Sequence, residues 1–521
     1  MNRSRLLTST LNTTVLRLIG QMVALGSGIL ISAQFGATAA TDDYYTALIL
    51  PGNLANLVIS VLTAVFAPIY LEHLHRDPDQ DRPIRSSLAF VATLGLAVAA
   101  LISLIAVPVS VTARGLSGPS EAERAALFGV VLVGVGPLIG YTRLIGIACE
   151  ARQHYSAPAI GVLINPVVFV GTLALTAQSL GIYSLLVANV FGAVAEFALI
   201  TGYSVRVLRL PFGIAPRLHP AVREMLARSV SPALAYLAIF FVPTVDRAVA
   251  TTLDAGSLTA FHYGERIVVA VDYLIAGGAL TVISNYWANT AAQKGIGAVA
   301  ESLPDGISLL GFGLIPMCVG GALLGQPVIS VLFERGAFTA VTASAQVFSI
   351  LLVSLFMAHY IVLFVRLLLI VKNTAAQLIL SLITVVLNTV LNLAFAPVYG
   401  VAGIALSTLI TRLVVVTGAV WYVRQALPDV KIARAMPRLA HTTLCTAIMM
   451  GVVIGLMGVL GPQLGRANGF LVQVLTLIGV IGAGAGAYIL SAALTRHPDF
   501  IMLFSVAQKT RLGRVLGVFR R

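Results

Sequence analysis

Few residues in this chain can do chemistry within an apolar stretch, so each can be weighed on its type and spacing. Glu265 and Arg266 stand side by side in one such stretch. Adjacent residues on a helix do not face each other, so one of the two is expected to point into a central cleft. A guanidinium there suits a pyrophosphate, whose oxygens it binds bidentately. The competing reading is an interhelical ion pair with Asp42 or Asp272. Asp42 and Asp43 open another apolar stretch. There the Thr41-Asp42 pair either caps the helix that follows, as a carboxylate at a positive dipole end would, or takes part in gating or substrate handling. Asn388 and Asn392 are four apart and share one helix face. With Asp246 and Thr408 they can offer oxygen ligands to a small hard cation, or they can hold helices together by hydrogen bonds. Arg17, Arg143, Glu196, Arg366 and Arg412 complete the short set of candidates within apolar stretches, with Arg143, Arg366 and Arg412 long enough to snorkel to an interface.

Other chemistries are missing from the pattern. His262, His359 and His441 do not cluster as ligands, and Cys149, Cys318 and Cys445 show neither metal-ligand spacing nor a disulfide framework. No phosphate-binding loop, dinucleotide fingerprint or Ser/His/Asp arrangement stands out. Any transport is therefore not driven by ATP hydrolysis in this chain. No catalytic residue is predicted.

The elements that must position these residues follow from composition. Of 521 residues, 58% are hydrophobic and 10% charged, and mean hydropathy is +0.96. A soluble domain carries about 25% charged residues, so a soluble enzyme is excluded, as is a disordered chain. The apolar runs are long rather than alternating, which disfavours a transmembrane barrel. The chain reads as an all-α polytopic membrane protein with about 14 transmembrane helices. The expected spans are 11–34, 43–72, 87–112, 124–149, 157–178, 182–205, 227–253, 258–287, 306–332, 341–370, 375–396, 402–423, 438–460 and 469–494. Gly and Pro interrupt many of them, at Pro51, Pro137, Pro166, Pro232 and Pro243 among others, a tolerated feature that often lines cavities.

Charge sorts by loop. One set of connections holds Arg76, Arg82, Arg85, Arg152, Arg206, Arg209, Arg217, Arg223, Lys294, Lys372, Arg424, Lys431, Arg434 and Arg438; the alternate set holds little beyond Arg114, Arg124, Arg335 and Arg466. The first set is expected to be cytoplasmic, with both termini inside. This placement accounts for the net charge of +13 without nucleic acid. The segment 499–521 mixes apolar and basic residues and reads as an amphipathic helix on an anionic leaflet.

A weak internal repeat is present. Arg152 to Arg206 resembles Lys372 to Arg424: an asparagine in mid-helix (Asn165, Asn388), a glycine turn (Gly181, Gly400), a Thr-Gly pair and a closing arginine. Spans 1–6 and 7–12 thus read as two copies of a six-helix lobe, inserted the same way and related by an axis along the membrane normal. The expected organisation is an N-lobe over 1–210, a C-lobe over 211–430, two further helices over 431–498 and the tail over 499–521.

Several strings resemble one family. FGATAATDDYYTALILPGNL (35–54) with AVFAPIYLEH (64–73), VDRAVATTLDAGSLTAFHYGERI (245–267), VLFERGAF (331–338), EARQHYSAPAIGVLINPV (150–167) and KNTAAQLILSLITVVLNTVLNLAF (372–395) resemble, in order, segments of the MurJ/MviN lipid II flippases. These belong to the multidrug/oligosaccharidyl-lipid/polysaccharide exporter superfamily. The resemblance implies a transporter of the bacterial inner membrane. It would move a polyprenyl-pyrophosphate-linked glycan, lipid II first among them, from the cytoplasmic to the periplasmic leaflet by alternating access. Another lipid-linked polysaccharide unit (O-antigen or exopolysaccharide) or a small molecule exported with ions are the alternatives. Substrate contacts would come from Arg266, Asp42, Arg17 and Glu265. Asp246, Asn388, Asn392 and Thr408 fall on positions resembling a sodium site, with Asn392 where some members have a carboxylate. Sodium or the membrane potential would then drive transport, with no other cofactor required. The chain is expected to be monomeric and to work beside cell-wall or polysaccharide synthesis machinery. One departure bears on substrate: an Arg-Asp pair of span 1 falls at Ser27-Gly28 here, and an arginine of span 2 at Ala55. A pyrophosphate held by fewer arginines binds more weakly.

Overall fold

The computed structural model describes residues 3–112, 119–152, 154, 156–210, 213–276, 283, 287, 290, 293, 295–371, 373–428, 430–465 and 468–509. Every regular element among them is helical: α1 (Arg3–Phe35), α2 (Ala39–Arg76), α3 (Asp81–Thr112), α4 (Pro119–Ala151), α5 (Ser156–Leu180), α6 (Ser184–Arg206), α7 (Pro220–Arg228), α8 (Val230–Ala250), α9 (Ser257–Ala276), α10 (Ile296–Leu323), α11 (Gly325–Phe333), α12 (Val341–Ile370), α13 (Thr374–Tyr399), α14 (Val401–Ala426), α15 (Met436–Leu460), α16 (Phe470–Leu494) and α17 (Pro498–Lys509). Ten stretches of the described residues are long and apolar enough to cross a bilayer, and one of them, Ala157–Arg206, holds both α5 and α6. The expected spans over 11–34, 227–253 and 258–287 include residues whose side chains lie outside the described ones.

Two breaks differ from the sequence expectation. The span expected over 306–332 is two helices, parted at Leu324 (φ −89°, ψ 10°). Gly325 follows the break with its backbone against the Ser349 side chain, leaving no room for a Cβ. The span expected over 227–253 is parted at Ser229. The preceding α7 is a short amphipathic helix with Pro220 at its first position and Ala221, Val222 and Met225 buried. Its cap is His219, whose ring accepts the Ala221 N–H at 3.2 Å, while the His219 N–H donates to Ser87 Oγ at 2.9 Å. The long connection after α6 is thereby pinned to α3.

The chain forms two compact units. The first comprises Met1–His262, Arg335–Ala340 and Thr389–Ile404; the second comprises Tyr263–Glu334, Val341–Asn388 and Ala405–Arg521. In the first unit the basic-loop ends of α2, α3 and α4 meet at Asp81. Its carboxylate takes Arg85 Nε at 3.0 Å and Nη2 at 2.9 Å, Arg152 Nη2 at 2.9 Å, and the Tyr70 hydroxyl. Arg85 is buried and its charge is paired with Asp81, as buried charges must be. Glycines let spans approach closely, as small residues do in membranes: Gly192 of α6 lies against the Asn165 carbonyl of α5.

The predicted repeat has a local counterpart in each hairpin. Gly181 between α5 and α6 and Gly400 between α13 and α14 both adopt the left-handed conformation (φ +53° and +59°), which glycine enters without steric cost. Each hairpin also carries an asparagine clasp. Asn165 donates to Glu196 at 2.9 Å across the first, and Asn388 to Thr408 at 3.3 Å across the second.

In the second unit Trp287, Leu303, Ile307, Leu363 and Leu367 pack in one apolar core. The C-terminal helix α17 is anchored to this unit by polar contacts. Asp499 accepts from the Ser308 hydroxyl, and His497 lies between Thr442 and the Arg438 carbonyl at 3.0 and 3.2 Å. Beyond the anchor, Ile501, Met502, Leu503 and Phe504 are exposed. The basic residues after Lys509 lie outside the described residues.

The ring of His497 accepts the Asp499 N–H at Nδ1 (3.2 Å), which requires the neutral tautomer. Burial is the main cause that lowers its pKa, partly offset by the Arg438 carbonyl and Asp499. A lowered histidine contributes stability that is full above its unfolded pKa of about 6.5 and is lost as pH falls through the lower folded value. Thermal unfolding of the purified protein is therefore expected to shift to lower temperature as pH drops below about 6.5. H497N should flatten part of that dependence.

Candidate functional site

The best-defined polar constellation lies on the first unit, where the chain enters α2 and α9. The N-cap of α2 is Thr38, in a reciprocal capping box with Thr41. This corrects the sequence expectation that Thr41-Asp42 precedes the helix: Asp42 already lies inside its first turn and serves a different one. Its Oδ2 accepts the Gly256 N–H at 2.6 Å; its Oδ1 accepts the Thr259 N–H at 2.8 Å and the Thr259 hydroxyl at 2.5 Å. Thr259 also bonds Thr41 at 3.0 Å. Gly256 immediately precedes α9 and Thr259 lies in its first turn, where N–H groups have no intrahelical acceptor and the dipole favours an anion. Asp42 thus caps α9 from more than two hundred residues away. Asp42, Thr41 and Thr259 are all buried.

Backbone packing reinforces this clasp. Gly256 (φ +89°) lies so close to the Ala37 carbonyl that a Cβ would stand 2.6 Å from it. Gly336 (φ +56°), in the turn after α11, sits against the Ala33 carbonyl at a distance no Cβ could share. The Ala337 N–H donates to that same carbonyl at 3.1 Å. The α1–α2 turn is thus held to both the α9 entry and the Gly336 turn. Behind it Tyr45 stacks on His262 with centroids 4.1 Å apart, and Asn189 donates to the Tyr44 hydroxyl at 2.6 Å.

Glu265 and Arg266 lie on α9, both half-buried. Arg266 is nine residues beyond Ser257, about 14 Å along the axis at 1.5 Å per residue. Asp272 lies further along the same helix, with Oδ1 3.2 Å from Nε2 of buried His359 on α12. Arg412 donates to Ser354 at 2.8 Å. The candidate cation ligands form two pairs. In the first unit Asn392 Nδ2 donates to Asp246 Oδ1 at 2.6 Å; in the second, Asn388 Nδ2 donates to Thr408. In each pair the amide turns its nitrogen, not its oxygen, to the partner, which is interhelical hydrogen bonding as it stands. Among the described residues no three His, Cys, Asp or Glu side chains group as metal ligands.

Comparison with known proteins fits this frame. The sequence model described as "Lipid II flippase MurJ" matches residues 31–475. The chain belongs to the MurJ lipid II flippase family. It is 24% identical over 519 residues to a probable lipid II flippase MurJ of Vibrio cholerae, covering 93% of this chain and 95% of that one. Against the Thermotoga maritima protein of the same description it is 25% identical over 471 residues, covering 88% and 91%. A solved lipid II flippase MurJ in an inward closed conformation shares the fold, with TM-score 0.77, 18% identity, 94% of this chain and 100% of that one. A multidrug transporter of the MATE family in an inward-facing conformation is more distant, with TM-score 0.62, 14% identity, and 79% and 98% covered. The protein is thus a multi-pass membrane transporter rather than an enzyme.

Within the MurJ frame, the positions at which arginines were expected are occupied by packed small residues. Ser27 is buried and its hydroxyl donates to the Ala24 carbonyl of its own helix at 2.7 Å; Ala55 is buried as well. Arg17 lies on α1, but its side chain falls outside the described residues. Sequence reasoning missed Gly256 and Thr259, the partners of Asp42, and the pairing of Asp272 with His359. A Gly-Ser-x-Thr string opening an apolar run was the available sign of a helix entry in need of an acceptor.

Replacing Asp42 by Ala leaves two N–H groups buried without their acceptor, at about 1–3 kcal/mol each. D42A is expected to lower unfolding stability by about 2–6 kcal/mol. D42N keeps one acceptor oxygen and should lose roughly half as much, both read from unfolding of the detergent-solubilised protein.

Proposed function

We propose that this protein moves lipid II from the cytoplasmic to the periplasmic leaflet of the inner membrane by alternating access, with both termini and the basic loops on the cytoplasmic side. The observation that carries the reading is the Asp42 clasp on the entry of α9, the helix whose sequence also holds Arg266. The clasp draws together the arginine-poor connections, which under this orientation are periplasmic. A pyrophosphate head group reaching Arg266 then comes from the cytoplasm. Guanidinium binds it through paired N–H···O bonds. Passage to the periplasm requires the Asp42 bonds to Gly256 and Thr259 to open. Their donors belong to a helix end that water can satisfy once exposed, so the opening is reversible. Family membership supports the substrate class, and the reduced number of arginines expected around it is met by weaker binding rather than by a change of chemistry.

The test is binding and translocation by the reconstituted full chain, with lipid II compared against a polyprenyl-pyrophosphate O-antigen unit. Lipid II is expected to be bound and moved in preference. R266A should lose roughly 10- to 100-fold in affinity, the worth of a charge-assisted hydrogen-bond pair, and R266K should recover only part because it lacks the paired geometry. Preference for the O-antigen carrier, or unchanged lipid II transport by R266A, overturns the reading.

A further inference from the structure

His359 is placed between two acceptors. Its Nδ1 is 2.9 Å from the Leu355 carbonyl and its Nε2 is 3.2 Å from Asp272 Oδ1. A carbonyl only accepts, so Nδ1 carries hydrogen. An ionised carboxylate also only accepts, so the second contact needs a further proton. That proton sits either on Nε2, giving imidazolium against carboxylate, or on Asp272, giving a carboxylic acid that donates to a neutral ring. In both cases the pair holds one proton more than a neutral histidine and a carboxylate. From this geometry we propose that Asp272 and His359 form a proton-binding site in the second unit, whose occupancy controls the packing of α9 on α12.

The surroundings fit a site that exchanges with water. His359 is buried, whereas the Asp272 side chain is 45% exposed. The two helices are in close backbone contact at Gly264, where a Cβ would stand 2.6 Å from the Ser344 carbonyl. Their separation at the dyad therefore depends on side chains. The charged and titratable groups nearby are few. Arg412 of α14 bonds Ser354, five residues before His359. Tyr360 donates to the Ile307 carbonyl, and Arg366 lies two turns on along α12. No third His, Cys or carboxylate joins the dyad among the described residues, so it does not make a metal site. Loss of the proton leaves one ring hydrogen for two acceptors, so the ring gives up either the Asp272 carboxylate or the Leu355 carbonyl, and the dyad loosens. Asp272 is six residues from Arg266 on the same helix. Proton release thus loosens the helix that carries the substrate arginine. This functional consequence rests on the flippase reading; the proton site itself does not.

The test uses full-length protein in lipid nanodiscs with ring-¹⁵N-labelled histidine, titrated between about pH 5 and about pH 8. Infrared spectroscopy reads the acid carbonyl of Asp272, and hydrogen exchange reads residues 263–272. Asp272→Asn and His359→Gln assign the signals. The expected result at the acidic end is either a doubly protonated His359 ring or an acid carbonyl band lost in D272N. On raising pH, the proton should leave together with faster exchange over 263–272. D272N should show a neutral ring protonated at Nδ1 throughout. A singly protonated ring with no D272-dependent acid band at any pH overturns the site. Proton loss without a change in exchange overturns its control of α9. If H359Q does not fold, D272N alone decides both points. Failure to move lipid II would leave the spectroscopic outcome intact and strike only the flippase reading.

Discussion

The entry of α9 poses a problem that one side chain solves. Its first-turn N–H groups lie buried in an apolar setting, where each unpaired donor is costly. Asp42 is a buried carboxylate, equally costly unless bonded. Each group removes the penalty of the other. Because Asp42 sits in the first turn of α2, the bond also fixes where the α1–α2 turn lies, and the Gly256 and Gly336 turns close onto it.

How much of this was legible depended on range. The helices were, because twenty-residue apolar runs admit little else in a bilayer. Their edges and breaks were less so. The partings at Leu324 and Ser229 answer to backbone approach at Gly325 and to the docking of α7 on α3, neither of which leaves a periodic mark. Asp42 could be singled out as a carboxylate at a span entry, and capping was the chemistry expected of it. Which helix it caps could not be read, because Gly256 and Thr259 are distant in sequence. The Asn388 and Asn392 pair was visible as a shared face, but their partners divide, with Asp246 closing on one and Thr408 on the other. His359 carried no sign at all. A lone histidine in an apolar run reads as core until Asp272 is seen beside it.

The two helical hairpins show why a repeat can persist while sequence drifts. α5–α6 and α13–α14 keep a left-handed glycine at the turn and one asparagine clasp across the pair. The acceptor differs, Glu196 in one and Thr408 in the other. In a membrane, where apolar burial gives helices little reason to associate, a single interhelical hydrogen bond and close small-residue contacts are what the geometry needs. The same economy bears on substrate chemistry. Ser27 and Ala55 are packed where cations were expected, and under the proposed function the phosphate-binding task then falls on Arg266.

Under the proposed function the Asp42 clasp on Gly256 and Thr259 is the closure on the side opposite the basic loops. The direct measurement is labelling of a cysteine introduced at position 266 with a membrane-impermeant maleimide, applied to one side at a time in oriented vesicles. The three native cysteines are buried and can be replaced without touching the clasp. This closure is expected to give labelling from the side of the basic loops and protection from the opposite side, with D42A abolishing the protection. Labelling from the opposite side while Asp42 is intact would contradict it.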